Sequence, residues 1–70
     1  MRLGKYLTSL TKPELEELKE LLNLTEDEEM VFKLLAKGKS KVSISSECLF
    51  SVGTVSNRIS AIQKKVNRLL

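Results

Sequence analysis

Val55, Ile59, Ile62 and Val66 recur at steps of four, three and four near the end of this 70-residue chain. An apolar stripe of about three turns marks a helix that must bury one side against other elements. A serine-rich stretch runs into it, with seven serines between Ser40 and Ser60. Serine-rich chain often serves as a flexible linker, but a linker would not carry this stripe. The serines are read instead as caps and small contact residues of two helices joined by a tight turn.

Upstream, two segments begin with the same device. In "TKPELEELKELLNL", Thr11 is an N-cap, Pro13 sits in the first turn and Glu14 completes a capping box. Leu15, Leu18 and Leu22, with Leu21 beside them, form the apolar side of a helix predicted over 12–22. In "NLTEDEEMVFKLLAKGK", Thr25 caps, Glu28 closes the box, and four acids occupy the turn that the helix dipole favours for negative charge. Val31, Leu34 and Leu35 point inward there, with Phe32 near the edge, and Gly38 supplies a left-handed stop. That helix is predicted over 26–37. Ser40 caps a third helix over 41–48, with Ile44 and Cys48 on its buried side, and Ser51 caps a fourth over 52–68. Leu3, Leu7 and Leu10 also stand at helical spacing, but Gly4 and the short length count against a helix there. The expected fold class is all-α, a small helical bundle of about four helices. Residues 1–70 are expected to form a single domain near the lower size limit of a self-supporting core.

Function classes narrow quickly. The chain has one cysteine, Cys48, and no histidine, which rules out an intramolecular disulfide and any thiolate–imidazole pair. With no metal-ligand cluster, no glycine-rich phosphate loop and little chain to enclose a pocket, no enzyme and no cofactor are expected. The opening "MRLGKYLTSL" lacks a signal-peptide core, and nothing approaches a membrane span, so a cytoplasmic protein is expected. Charge is uneven: residues 39–70 carry six basic groups against Glu47 alone, whereas residues 25–38 are net −2. A basic half beside an acidic one suggests a surface that faces a polyanion.

The last two helices, joined by about three residues, fit a helix-turn-helix. Ser45 is the small residue at their crossing, and Phe50 or Leu49 is the apolar side chain the turn must bury. Residues 24–66 resemble the LuxR/GerE-type helix-turn-helix domain without a gap. The resemblance rests on Leu24, Thr25 and Glu28, on Val31, Phe32, Leu34 and Gly38, and above all on "SVGTVSNRIS". Ser45, Cys48 and Leu49 stand where the family usually has alanine, leucine and a turn glycine, and Asp27 and Met30 replace a basic and a polar residue. Residues 24–68 would then be the helix-turn-helix and 1–23 an N-terminal helical extension. Sigma-factor region 4 shares the core pattern and is a close relative.

The resemblance implies sequence-specific binding of double-stranded DNA by a bacterial or phage transcriptional regulator. It implies that Ser56, Asn57 and Ser60 meet base edges. Independently, the helical period puts Gly53, Asn57, Ser60, Ala61 and Lys64 opposite the buried stripe, and an Asn amide pairs both ways with adenine. Phosphate contacts are expected from Lys39, Ser40 and Lys41 at a helix start, and from Thr54, Arg58, Lys64 and Lys65 beside the reading face. Arg58 has Glu47 as an alternative partner. Four or five neutralised phosphates would give a log–log salt slope of roughly −4 to −5. A homodimer through 12–22 with Leu69 and Leu70, replacing the family's last helix, and RNA polymerase are further partners the resemblance admits; no membrane partner is expected. The reading from another class is a helix-turn-helix protein-interaction module that does not bind DNA on its own.

Overall fold

Hydroxyl side chains start four of the helices. Thr11 Oγ1 accepts from the Glu14 amide at 3.4 Å while the Glu14 carboxylate accepts from the Thr11 amide at 2.8 Å. Thr25 and Glu28 form the same reciprocal box at 3.3 and 3.0 Å. Ser40 Oγ accepts from the Ser43 amide, and Ser51 Oγ from the Thr54 amide. Each bond satisfies an amide that the helix itself leaves unpaired.

The computed structural model describes residues 2–69, and among these it has five helices and no strand. They are α1 (Leu3–Thr8), α2 (Lys12–Leu22), α3 (Glu26–Ala36), α4 (Lys41–Cys48) and α5 (Val52–Leu69). α3 stops one residue before the predicted 37. Lys37 is its C-cap, Gly38 follows at φ +83°, and the amides of Gly38 and Lys39 return to the carbonyls of Leu35 and Leu34. That is a Schellman end, which needs a left-handed residue where Gly38 stands.

Helix α1 corrects the four-helix expectation. Gly4 does weaken a short helix, but Leu3 and Leu7 are both buried as α1 packs on α3. Tertiary burial of two leucines outweighs a local propensity cost of about 1 kcal/mol.

α5 is the central element and packs on α2, α3 and α4. Val55, Ile62 and Val66 are fully buried and Ile59 partly so, as the stripe requires. Around them lie Val31, Phe32 and Leu35 of α3 with Ile44 and Cys48 of α4. Phe32 is buried more completely than Leu34, the reverse of the predicted order. Burial, with the charges of Glu47 and Asp27, pushes the Cys48 thiol pKa up, which suits a core residue rather than a nucleophile. From α2, Leu22 is buried and Leu15 and Leu18 pack against the core. Leu21 and Leu69 stay exposed, and Leu70 lies outside the described residues.

Glu28 ties this arrangement together. It is 6% exposed, accepts from the Thr25 amide, and accepts from Lys65 Nζ across 37 residues of chain. Burial alone would raise its carboxyl pKa. The bonds from Lys65 and Thr25 together outweigh burial and hold it below the ordinary 4.5. A lowered folded-state value contributes stability in full above pH 4.5, and that contribution is lost as pH falls through the folded value. Glu28→Gln is therefore expected to lower the unfolding free energy by about 1–3 kcal/mol at pH 7 and by less at pH 3. Urea unfolding of both proteins at both pH values checks this; equal losses would contradict it.

Candidate nucleic-acid interface

α4 and α5 are joined by Leu49, Phe50 and Ser51. Ser45, half-buried in α4, does more than make room for the crossing. Its hydroxyl donates to the Phe50 carbonyl, and its own carbonyl accepts from the Phe50 amide at 3.1 Å. These two bonds close the turn. Phe50 is the apolar side chain that packs inward, whereas Leu49 is 91% exposed and sits at φ +59°. Of the two candidates for the buried turn residue, the structure selects Phe50. A left-handed backbone is strained for leucine.

On α5, Asn57 and Ser60 are exposed and Ser56 is half-buried beside them, so the predicted reading residues share one outward face. Lys64 continues that face toward the C-terminus. Thr54 is half-buried, and its hydroxyl accepts from Ser51 at 2.9 Å, which commits part of it to capping.

The predicted cations divide into two groups. Lys39, Lys41 and Lys64 are exposed and make no ion pair among the described residues. Ser40 lies between the first two, its hydroxyl engaged with Ser43. Arg58 and Lys65 are engaged elsewhere. Arg58 pairs with Asp27 Oδ2 at 3.5 Å, not with Glu47, and the half-buried Lys65 ammonium is held by Glu28. Asp27, which stands where a basic residue is usual, is thus the acid that orients Arg58 on the flank of α5.

A cleft of about 570 Å³ gathers the free cations. It lies where the start of α1, the end of α3, the start of α4 and the middle of α5 meet, over a floor of Leu3, Leu35 and Ile59. Arg2, Lys39, Lys41 and Lys64 line it with Ser60 and Gln63, and no acidic residue does. The three lysines and Ser60 were expected at the interface. Arg2 and Gln63 were not, because nothing local in the sequence connects residue 2 to the middle of α5.

The strained turn yields a direct test. Leu49 loses almost no burial on replacement, so Leu49→Gly is expected to stabilise the fold by about 0.5–1 kcal/mol, or roughly 3–6 °C in Tm. Thermal unfolding followed by circular dichroism measures it. A lower Tm would show that the leucine side chain makes a contact that outweighs the strain.

Among the described residues no helix is long and apolar enough to cross a membrane. Neither a search of curated proteins nor one of solved structures found a match. A family model does match: GerE, the bacterial regulatory proteins of the luxR family, over residues 22–68. That segment covers α3, α4 and α5 as far as Arg68, and GerE-type domains are DNA-binding helix-turn-helix regulator domains rather than enzymes. With most of its length matched, and with a capped helix pair closed by Ser45 and Phe50, the chain belongs to the luxR family of bacterial regulatory proteins.

Proposed function

We propose that this chain regulates transcription by sequence-specific binding to double-stranded DNA, with the first half of α5 in the major groove. The observation that carries the reading is one surface holding Asn57, Ser60, Lys39, Lys41 and Lys64, with no acid in the cleft they adjoin. Asn57 is the base reader, through a two-bond pairing with adenine. Ser56 and Ser60 are short and give weaker or water-mediated discrimination. The first turn of α4 adds backbone amides at Ser40 and Lys41, where Lys39 and Lys41 meet phosphate. Thr54 helps to hold the start of α5 in place.

Engagement of Arg58 and Lys65 in ion pairs reduces the expected salt dependence. Three free lysines alone contribute a log–log slope of about −2.7, so the whole protein should show roughly −3 or steeper. Lys64→Ala should lower the slope's magnitude by about 0.9 and weaken every duplex alike. Asn57→Ala should leave the slope unchanged and remove about 1–3 kcal/mol of preference at one base pair. Fluorescence anisotropy against a selected and a scrambled duplex, over a range of salt, measures both. A wild-type slope near zero would overturn the DNA-binding reading.

Of the leucines expected to form a homodimer interface, Leu22 is buried and Leu15 and Leu18 are half-buried against the core. Leu21 and Leu69 alone fall far short of the roughly 800 Å² per partner of a stable interface. A second reading, docking to an acidic protein such as RNA polymerase, has one specific observation in its favour. A groove of about 310 Å³ between α2 and α3 has Leu15, Phe32 and Ala36 at its base and Lys12 and Lys37 on its rim. Its other two lysines, Lys19 and Lys33, are already paired with Glu16 and Glu29, so the basic cleft beside α5 is the stronger polyanion site.

A further inference from the structure

We propose that Arg2, which lies outside the family's matched segment, is a fourth phosphate-contacting cation and makes α1 part of the DNA interface. This rests on the DNA-binding reading above. The matched segment begins at residue 22, so nothing in the family match assigns a role to α1. Its leucines explain why it folds, since Leu3 and Leu7 are buried against the core. They do not explain where Arg2 is put.

Arg2 is exposed, and its side chain makes no ion pair and caps no helix among the described residues. It lines the same cleft as Lys39, Lys41 and Lys64, with Ser60 and Gln63 of α5 on the far wall. Four cations sharing a cleft with no acid repel one another, and a polyanion relieves that repulsion. The burial of Leu3 fixes the backbone next to Arg2, so little further ordering is needed when the guanidinium engages. A guanidinium also grips two phosphate oxygens at once, which an ammonium does not. Ser60 and Lys64 belong both to this cleft and to the outward face of α5. The phosphate that reaches it is therefore a backbone phosphate of the duplex that α5 reads, rather than a free anion.

The test compares wild type, Arg2→Ala, Arg2→Lys and Lys12→Ala by salt-dependent anisotropy with a random-sequence duplex. Lys12→Ala removes one charge from the separate α2/α3 groove and serves as the matched control. Arg2→Ala should weaken binding to all duplexes roughly 3- to 10-fold at low salt and cut the slope's magnitude by about 0.9. Arg2→Lys should keep the slope and lose part of the affinity, and Lys12→Ala should keep both. Circular dichroism should show the same melting curve for Arg2→Ala as for wild type. If wild type binds with a clear slope and Arg2→Ala matches it, or falls no further than Lys12→Ala, the Arg2 assignment is overturned and the DNA-binding reading stands. If wild type shows no slope, both fall. A titration of the Arg2 Nε resonance separates the phosphate sources. Movement with duplex supports the assignment; movement with inorganic phosphate but not with duplex overturns it.

Discussion

The geometry of the fold depends on how one buried carboxylate is satisfied. Glu28 caps its own helix by accepting from the Thr25 amide, and it also takes the ammonium of Lys65 from the second half of α5. Without those partners a carboxylate at 6% exposure would be a strongly unfavourable feature. With them it becomes a cross-brace between the start of α3 and the back of α5. Asp27, its chain neighbour, pairs with Arg58 two turns nearer the start of α5. Two adjacent acids of α3 therefore hold α5 at two points along its length. The consequence for function is rotational: the buried stripe and these two pairs leave α5 a single orientation, with Asn57 and Ser60 outward.

The same pairs sort the basic residues by role. Sequence position made Lys39, Lys41, Arg58, Lys64 and Lys65 alike candidates for phosphate. The structure uses Arg58 and Lys65 internally and leaves Lys39, Lys41 and Lys64 exposed around one cleft. With Asn57 as the proposed base reader and only short serines beside it, affinity for a duplex would depend heavily on backbone contacts. Placing unpaired cations on both sides of Ser60 fits that dependence.

What could be read from the sequence was whatever is decided within one turn of chain. The boxes at Thr11–Glu14 and Thr25–Glu28, the caps at Ser40 and Ser51, and the stop at Gly38 all involve partners three to five residues apart, and each is present. The stripe of α5 was legible for the same reason. What was not legible is set at long range. α1 forms because α3 buries its leucines, although Gly4 argues locally against it. The choice of Phe50 over Leu49 depends on the hydroxyl of Ser45 and on which side chain reaches the core. Arg58 has Glu47 as the nearest acid in its own half of the sequence, but the fold brings Asp27 to it. The cleft that joins Arg2 to Lys64 exists only once all of these contacts have formed.

On the proposed function, one face of the protein, the start of α4 with the outward side of α5, meets duplex DNA. Amide chemical shifts of the labelled protein, titrated with random duplex at low salt, test it most directly. Perturbations are expected at residues 39–42 and along 51–64, with α2 (Lys12–Leu22) unmoved. Shifts centred on α2, or none at any duplex concentration, would contradict it.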